Sequence, residues 1–301
     1  MQISVVIPTY QRPQTVGQTV RSIFAGDYEN FEVIVVDQSK DDASRVALAG
    51  FMADPRFRYI KTPRLGASAA RNLGIAAGKG EVIAFTDDDV TAEAGWLAKI
   101  AAEFNADAEL QFISGALVAP EYDRSAGYIP EFTPFKGMTG WQLVLMAANA
   151  NFAMRRALFD RIGGYDELCG PGGVLKSSDD GDIVLRIVRS GARWKGCPHI
   201  QVTHTYGFRA GALADTLLDE YDYGNGAIFG RAARRGDLLA AGWFMARETK
   251  LLLRGMMRAL RGAGAPSLPR TRLAGFWHGF QFSPHENIPG AAELRSLGLT
   301  A

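Results

Sequence analysis

Three consecutive carboxylates, Asp87, Asp88 and Asp89, close the apolar run of EVIAFTDDDV, residues 81–90. Placed side by side at the mouth of a core they repel one another, and a cation relieves that cost: carboxylate oxygens are the ligands that Mg²⁺ and Mn²⁺ prefer. In an extended segment Asp87 and Asp89 point to one side and Asp88 to the other, so the expected metal pair is Asp87 with Asp89. The alternative is a solvated acidic turn, or a cap for the helix of AEAGWLAKI, with Asp89 or Thr91 near its start. A second cluster, Asp179, Asp180 and Asp182, opens the helical pattern of SSDDGDIVLRIVRSG, residues 177–191. Complementing the helix dipole explains one or two of these acids, and three suggest a further role.

Elements of alternating type must position both clusters. Apolar runs at Ile3–Ile7, Phe31–Asp37, Phe57–Ile60 and Glu81–Thr86 read as strands, with helical patterns near Arg12–Ala25, Asp41–Met52 and Ala67–Ala77 between them. Such alternation with continuous apolar strands predicts a Rossmann-like, mostly parallel α/β sheet flanked by helices on both faces. Ligands of such sheets sit at the carboxyl ends of the strands, where Thr9, Tyr10, Asp37 and the Asp87–Asp89 cluster would converge. Further strands are expected near Gln111–Val118 and Ile200–His204. Between them Gly115–Gly140 reads as a long loop rich in Gly, Pro and aromatics, of the kind that forms a lid or acceptor wall.

Composition narrows the class. With 47% hydrophobic and 22% charged residues in 301, disorder and fibrous structure are excluded. Cys169 and Cys197 lie in no CxxC or Cys/His ligand spacing, so both are expected reduced, with neither a disulfide framework nor a zinc site. MQISVVIPTY enters a strand at once, without the basic and apolar regions of a signal peptide, and no apolar run reaches the roughly 18 to 20 residues of a membrane span. A cytoplasmic protein is expected, or one peripheral at the inner face of the plasma membrane.

Four blocks, SVVIPTYQRP, VVDQSKDD, GASAARNLGIAAGKGEVIAFTDDD and SSDDGDIVLRIVRSG, occur in the order and approximate spacing of the family 2 glycosyltransferases. Over residues 1–206 the sequence resembles these inverting enzymes of GT-A fold, which act on nucleotide sugars. The resemblance implies a nucleoside diphosphate sugar as donor, a carbohydrate or lipid-linked hydroxyl as acceptor, and Mn²⁺ or Mg²⁺ as cofactor. Pro8, Thr9, Tyr10 and Asp37 would border the base, with Asp37 accepting from a uracil or thymine imide N–H, which favours UDP or dTDP; otherwise Asp37 caps the next helix. Arg71 would pair with the diphosphate or hold the acidic cluster, unless it forms a structural salt bridge. Asp87 would reach the ribose or the metal, Asp88 belongs with the donor-binding residues, and Asp89 would bind the metal between the phosphates.

Many members carry a fourth acid where this chain has Val90, which leaves the finer ligand roles open. His204 would meet the metal or diphosphate, or is a packed histidine. Where the family reads Glu-Asp-x-Asp this chain has Asp179-Asp180-Gly181-Asp182, and matched position by position the resemblance makes Asp180 the candidate catalytic base. Asp179, Asn149 and Asn151 would contact the acceptor, although turn-forming asparagines fit equally. Gly163 and Gly164 would make a tight turn, and Trp141 would be a buried anchor or an acceptor-stacking ring.

Residues 207–301 read as a helical, basic appendage to this catalytic region. Between Arg231 and Arg272 ten Arg/Lys stand against two acids, in a chain whose net charge is only +1. On a helical wheel Arg247, Lys250, Arg254, Arg258 and Arg261 fall within about an 80° arc, with Met245, Leu252, Leu253, Met256 and Leu260 opposite. Such a helix packs its apolar face on the domain, or lies on an anionic membrane surface; nucleic acid is not expected, since no aromatic-basic interleaving accompanies the charge. A linker is expected beyond Gly262, followed by a short docking patch, FWHGFQF.

Two other readings compete. A sugar-phosphate nucleotidyltransferase would also use this sheet and Mg²⁺, but would want a Gly-rich, basic loop after strand one, where PTYQRPQTVG offers Arg12 and little glycine. A catalytically silent sugar- or membrane-binding scaffold would leave Asp37, Asp87, Asp89 and Asp180 without a task.

Overall fold

The computed structural model describes residues 1–261, 269–283 and 287–297. The chain runs β1 (Ile3–Thr9), α1 (Pro13–Phe24), β2 (Phe31–Asp37), α2 (Ala43–Ala47), β3 (Phe57–Lys61), α3 (Ala67–Ala77) and β4 (Val82–Phe85). A short β5 (Thr91–Ala92) follows the acidic cluster, then α4 (Trp96–Ala106), β6 (Leu110–Val118), α5 (Gly140–Met146) and β7 (Phe152–Arg155). Next come α6 (Phe159–Ile162), α7 (Asp179–Arg189) and β8 (Arg193–Thr203), and beyond them α8 (Ala212–Arg234), α9 (Leu238–Leu260), α10 (Arg270–Gln281) and α11 (Ala291–Leu297).

The eight strands form one sheet in the order β3-β2-β1-β4-β7-β6-β8-β5. β1 pairs in parallel with β2 and β4, and β2 with β3, while β7 enters antiparallel between β4 and β6. Every residue of β1 and β2 is buried, which is why both read as unbroken apolar runs. Val5, Ile7, Val33 and Val35 face a core shared with Val16, Val20 and Ile23 of α1. Val6, Ile83 and Phe85 face the opposite core, with Ile183 and Ile187 of α7 and Ile228 and Phe229 of α8. Each such side chain contributes about 1.5–3 kcal/mol of burial.

Three expectations about elements change. The helix expected over Asp41–Met52 divides into α2 and a 3₁₀ turn at Ala49–Phe51, because Gly50 weakens the helix where it would need to continue. β8 begins at Arg193, well before the expected Ile200; Gly196 and Pro198 read as breakers, yet the strand absorbs them through a register shift against β6 near Gly115 and Ala116. β7 lies within the segment expected to meet the acceptor and is too short to carry a periodic signal. Gly163 does end α6 in a left-handed turn, at φ 72°. Trp141 is an anchor: its ring stacks on Trp243 of α9 at 4.8 Å and 12°. The linker expected beyond Gly262 lies outside the described residues as far as 268, and most of the expected docking patch belongs to α10.

α8 and α10 cross at backbone contact. A Cβ built at Gly226 or Gly230 would overlap the carbonyl oxygen of Arg272 or Phe276, and one at Gly275 or Gly279 would overlap that of Tyr223 or Ala227. On α9 the buried line is Ala240, Phe244, Glu248 and Gly255. Glu248 takes Arg272 at 2.9 Å and also Arg247, so one of the five expected surface cations is spent internally. Met245, Leu253, Met256 and Leu260 stay exposed, Leu260 at 88%, and only Leu252 of the expected apolar face turns partly inward.

Candidate active site

The carboxyl ends of β1, β2 and β4, the first turn of α7 and the residues after β8 enclose a cleft of about 740 Å³, inside the roughly 300–1,000 Å³ range of small-molecule sites. Pro8, Thr9 and Tyr10 line it from the end of β1, Asp87–Asp89 from the end of β4, and Asp179, Asp180 and His204 from the far side. Residues distant in sequence thus meet at the strand-order switch around β1.

The acidic cluster corrects the expected pairing. β4 stops at Phe85, and Asp88 and Asp89 form a turn, so strand alternation no longer applies. Asp88 and Asp89 therefore act together: Arg12 Nη1 donates to Asp88 Oδ1 at 2.9 Å and to Asp89 Oδ2 at 2.7 Å. Thr9 Oγ1 donates to Asp88 Oδ2 at 2.6 Å. Asp87 faces Arg71 instead, at 2.8 Å. The cluster caps no helix, because α4 starts at Trp96 behind Gly95. Burial pushes the Asp88 carboxyl up to about 6 despite Arg12. For Asp89 burial acts in the same direction, but His204 and Arg12 outweigh it and hold the carboxyl below its usual range.

His204 meets Asp89. Its Nε2 lies 3.5 Å from Asp89 Oδ1, and Nδ1 lies 3.0 Å from the Pro130 carbonyl. Burial lowers the His204 pKa, but Asp89 outweighs it and raises it; loss of the Nε2 proton, with Nδ1–H kept on the Pro130 carbonyl, would turn the Nε2 lone pair toward a cation at Asp89. Gly207 makes this position available, since a Cβ there would sit 2.5 Å from the imidazole. Among the described residues no three His, Cys, Asp or Glu side chains gather at metal-ligand spacing. The pair still fits a divalent cation of the Mg²⁺ or Mn²⁺ type, which takes one or two protein ligands and fills the rest of its shell from phosphates and water.

Arg71 ties the two acidic clusters together. Its second amino group pairs with Asp179, Asn149 Nδ2 donates to the same Asp179 oxygen at 3.0 Å, and Tyr165 Oη donates to Asn149 Oδ1 at 2.8 Å. The guanidinium is buried, and burial alone would lower its pKa, but Asp179 and Asp87 reverse the shift. Asp180 follows Asp179 into the cleft. Its Oδ1 accepts the Gly181 N–H at 2.7 Å. Burial and the neighbouring Asp179 charge push its carboxyl up to about 7.

Two sequence-derived site residues are placed otherwise. Asn151 is buried with its amide fully used: Nδ2 donates to Ala116 O and Ile200 O, and Oδ1 accepts from Trp96 Nε1. It fastens β6, β8 and α4 and offers nothing to an acceptor. Asp37 stands beside Thr9 at the end of β2, fully buried, with its carboxylate taken by Ser39 N–H, Tyr59 Oη and Lys61 Nζ. The cleft wall there is Gln38, whose Nε2 donates to Gly66 O at 3.0 Å.

Sequence reading gave no role in the site to Arg12, Gln38, Gly207 or Tyr221, although all four line the cleft. Arg12 carried a usable signal, as the cation that directly follows the end of the first strand. The other three carried none.

Comparisons with known proteins bear on the fold and the family. A glucosyl-dolichyl phosphate glucuronosyltransferase of Haloferax volcanii is 29% identical over 182 residues, covering 56% of this chain and 58% of that protein. A putative colanic acid biosynthesis glycosyl transferase of Escherichia coli, WcaA, is 35% identical over 89 residues, 29% of this chain and 32% of its own. The chain thus spans less than two thirds of the length of these relatives. Among solved structures, the mannosyltransferase PcManGT of Pyrobaculum calidifontis, in complex with GDP-Man and Mn²⁺, superposes with a TM-score of 0.54 at 19% identity, covering 93% of this chain and 87% of that one. S. aureus TarS superposes at 0.55 and 18% identity, over 76% of this chain and 39% of its own. These likenesses show the GT-A fold. The model of the family described as glycosyl transferase family 2 matches residues 4–163, and the chain belongs to that family.

Proposed function

We propose that the protein is an inverting glycosyltransferase that moves a sugar from a nucleoside diphosphate sugar to a hydroxyl of a carbohydrate or lipid-linked acceptor, in bacterial surface polysaccharide assembly. One observation carries this reading: a carboxylate raised to about 7, Asp180, opens on the same cleft as the Asp87–Asp89 cluster. A general base works best when its pKa lies near the working pH. The Gly181 N–H occupies Asp180 Oδ1, which leaves Oδ2 to take the acceptor proton. The acceptor oxygen then forms its bond to the anomeric carbon from the face opposite the leaving group, and the electron pair of the breaking C–O bond departs with the diphosphate.

Asp89 and His204 would hold a divalent cation, which when bound neutralises charge on the departing diphosphate. Pro8, Thr9, Tyr10 and Gln38 would border the base, and Arg71, Asp87 and Asp88 the ribose and diphosphate. Asn149 and Asp179 would stand behind the acceptor. The dolichyl-linked substrate in the name of the Haloferax relative and the polysaccharide in that of the Escherichia relative support the acceptor class.

A membrane surface is part of the proposal. No helix among the described residues is long and apolar enough to cross a membrane. α9 instead exposes Leu253, Met256 and Leu260 beside Lys250, Arg254, Arg258 and Arg261, the composition that binds in the plane of an anionic bilayer. Calorimetric titration with UDP, GDP and dTDP, with and without Mn²⁺, tests the donor reading: one nucleotide should bind in a metal-dependent way. Binding of none of them would overturn it.

A further inference from the structure

The cation that neutralises the acidic cluster in this structure belongs to the protein. Arg12 Nη1 spans Asp88 Oδ1 and Asp89 Oδ2, and Asp89 is also the carboxylate that faces His204. The Arg12 side chain is 42% exposed, whereas the two carboxylates are 7% exposed, so the acids are fixed and their partner is the part able to leave. Arg12 sits just before Pro13, the first residue of α1, and caps that helix with no side-chain bond. The residue ahead of it, Gln11, holds a left-handed φ of 55°, a conformation that non-glycine residues adopt only at a cost. Gln11 N–H donates to Ser39 Oγ at 2.8 Å, and Ser39 N–H to Asp37 Oδ1 at 2.8 Å. The loop that aims Arg12 is thereby pegged to the end of β2, on the side of the cleft assigned to the base.

We propose that Arg12 is a built-in counter-ion of Asp88 and Asp89, which competes with the divalent cation in the donor-free protein and transfers to the diphosphate when the donor enters. This rests on the glycosyltransferase reading above. A guanidinium fork binds phosphate oxygens in two-point fashion as readily as carboxylates, and an arriving diphosphate supplies the negative charge that lets Arg12 release the cluster. Metal and donor then bind as a coupled pair, each raising the affinity for the other by the same factor. A metal ion alone must displace Arg12 with nothing to receive it.

Mn²⁺ affinity, measured by electron paramagnetic resonance for wild type, Arg12→Met and Arg12→Lys, tests this with and without saturating UDP, GDP or dTDP. Without nucleotide, Arg12→Met should bind Mn²⁺ about tenfold or more tightly than wild type, with Arg12→Lys near wild type. With nucleotide that advantage should shrink or reverse, because the methionine cannot follow the diphosphate. As a second readout, Mn²⁺ alone should raise the melting temperature of Arg12→Met more than that of wild type. Equal or weaker Mn²⁺ binding by Arg12→Met without nucleotide, while wild type still binds Mn²⁺ with nucleotide, overturns the role of Arg12 and leaves the donor site standing. Absence of Mn²⁺ binding by wild type under every condition overturns both.

Discussion

Arg71 on α3 holds Asp87 Oδ1 at 2.8 Å, and the other end of the same guanidinium holds Asp179 in the first turn of α7. One buried cation therefore sets the distance between the donor-side cluster and the segment that carries Asp180. Replacing Arg71 by methionine leaves a buried carboxylate without its partner, which costs about 3–5 kcal/mol. Urea denaturation at neutral pH should show a loss of that size.

Asp180→Asn removes the proton acceptor while keeping the Gly181 contact. Turnover should fall about 10²- to 10⁴-fold, with nucleotide affinity within about twofold of wild type by calorimetry. A fall in affinity matching the fall in turnover would assign Asp180 to binding instead.

The raised pKa of Asp180, about 7 against an ordinary 3.8, gives a signed pH dependence. The base is protonated below about 7, so kcat/KM should rise roughly tenfold per pH unit up to that point and then level. Folding favours the protonated form, so wild type loses stability as pH climbs from 3.8 toward 7. Asp180→Asn should escape that loss, and the two proteins should differ most in denaturation midpoint above pH 7.

Gly207→Ala places a methyl where the His204 ring lies. The imidazole must turn away from Asp89, and Mn²⁺ affinity measured with nucleotide should weaken about 10- to 100-fold, the usual cost of losing a residue that positions a ligand. Unchanged affinity would show that His204 is not a ligand.

Changing Lys250, Arg254, Arg258 and Arg261 together to serine removes four exposed cations from α9. Each contributes about 1 kcal/mol of attraction to an anionic surface. Cosedimentation with phosphatidylserine-containing vesicles should be lost, while turnover of a water-soluble acceptor is retained. Binding that persists, or that is equal on neutral phosphatidylcholine vesicles, would argue against a membrane role for this helix.

What the sequence made legible follows from range. The β1–β4 half of the sheet was readable because β1, β2 and β4 are buried on both faces and the connecting helices repeat every three to four residues. The membership of Thr9, Asp87–Asp89, Asp179, Asp180 and His204 in one cleft follows from strand-end logic and block order. Pairing within the cluster was not readable, because it depends on where β4 stops: one turn after Phe85 gave Asp88 and Asp89 a common partner. Asn151 looked like a sugar-binding amide only because its three partners, Ala116, Ile200 and Trp96, are remote in the chain. Arg12 stands close after the first strand, but its partners Asp88 and Asp89 lie more than 70 residues further on, and no local pattern announces such a contact.

Gly226, Gly230, Gly275 and Gly279, where α8 meets α10, carry a consequence for genetics. In a saturation mutagenesis screen scored for functional protein, these four positions should reject every substitution, alanine included, as firmly as the cleft does. None of them lines the cleft. Intolerance to mutation would thus mark two regions with different causes, and only the one that keeps its folded yield while losing turnover would trace the chemistry.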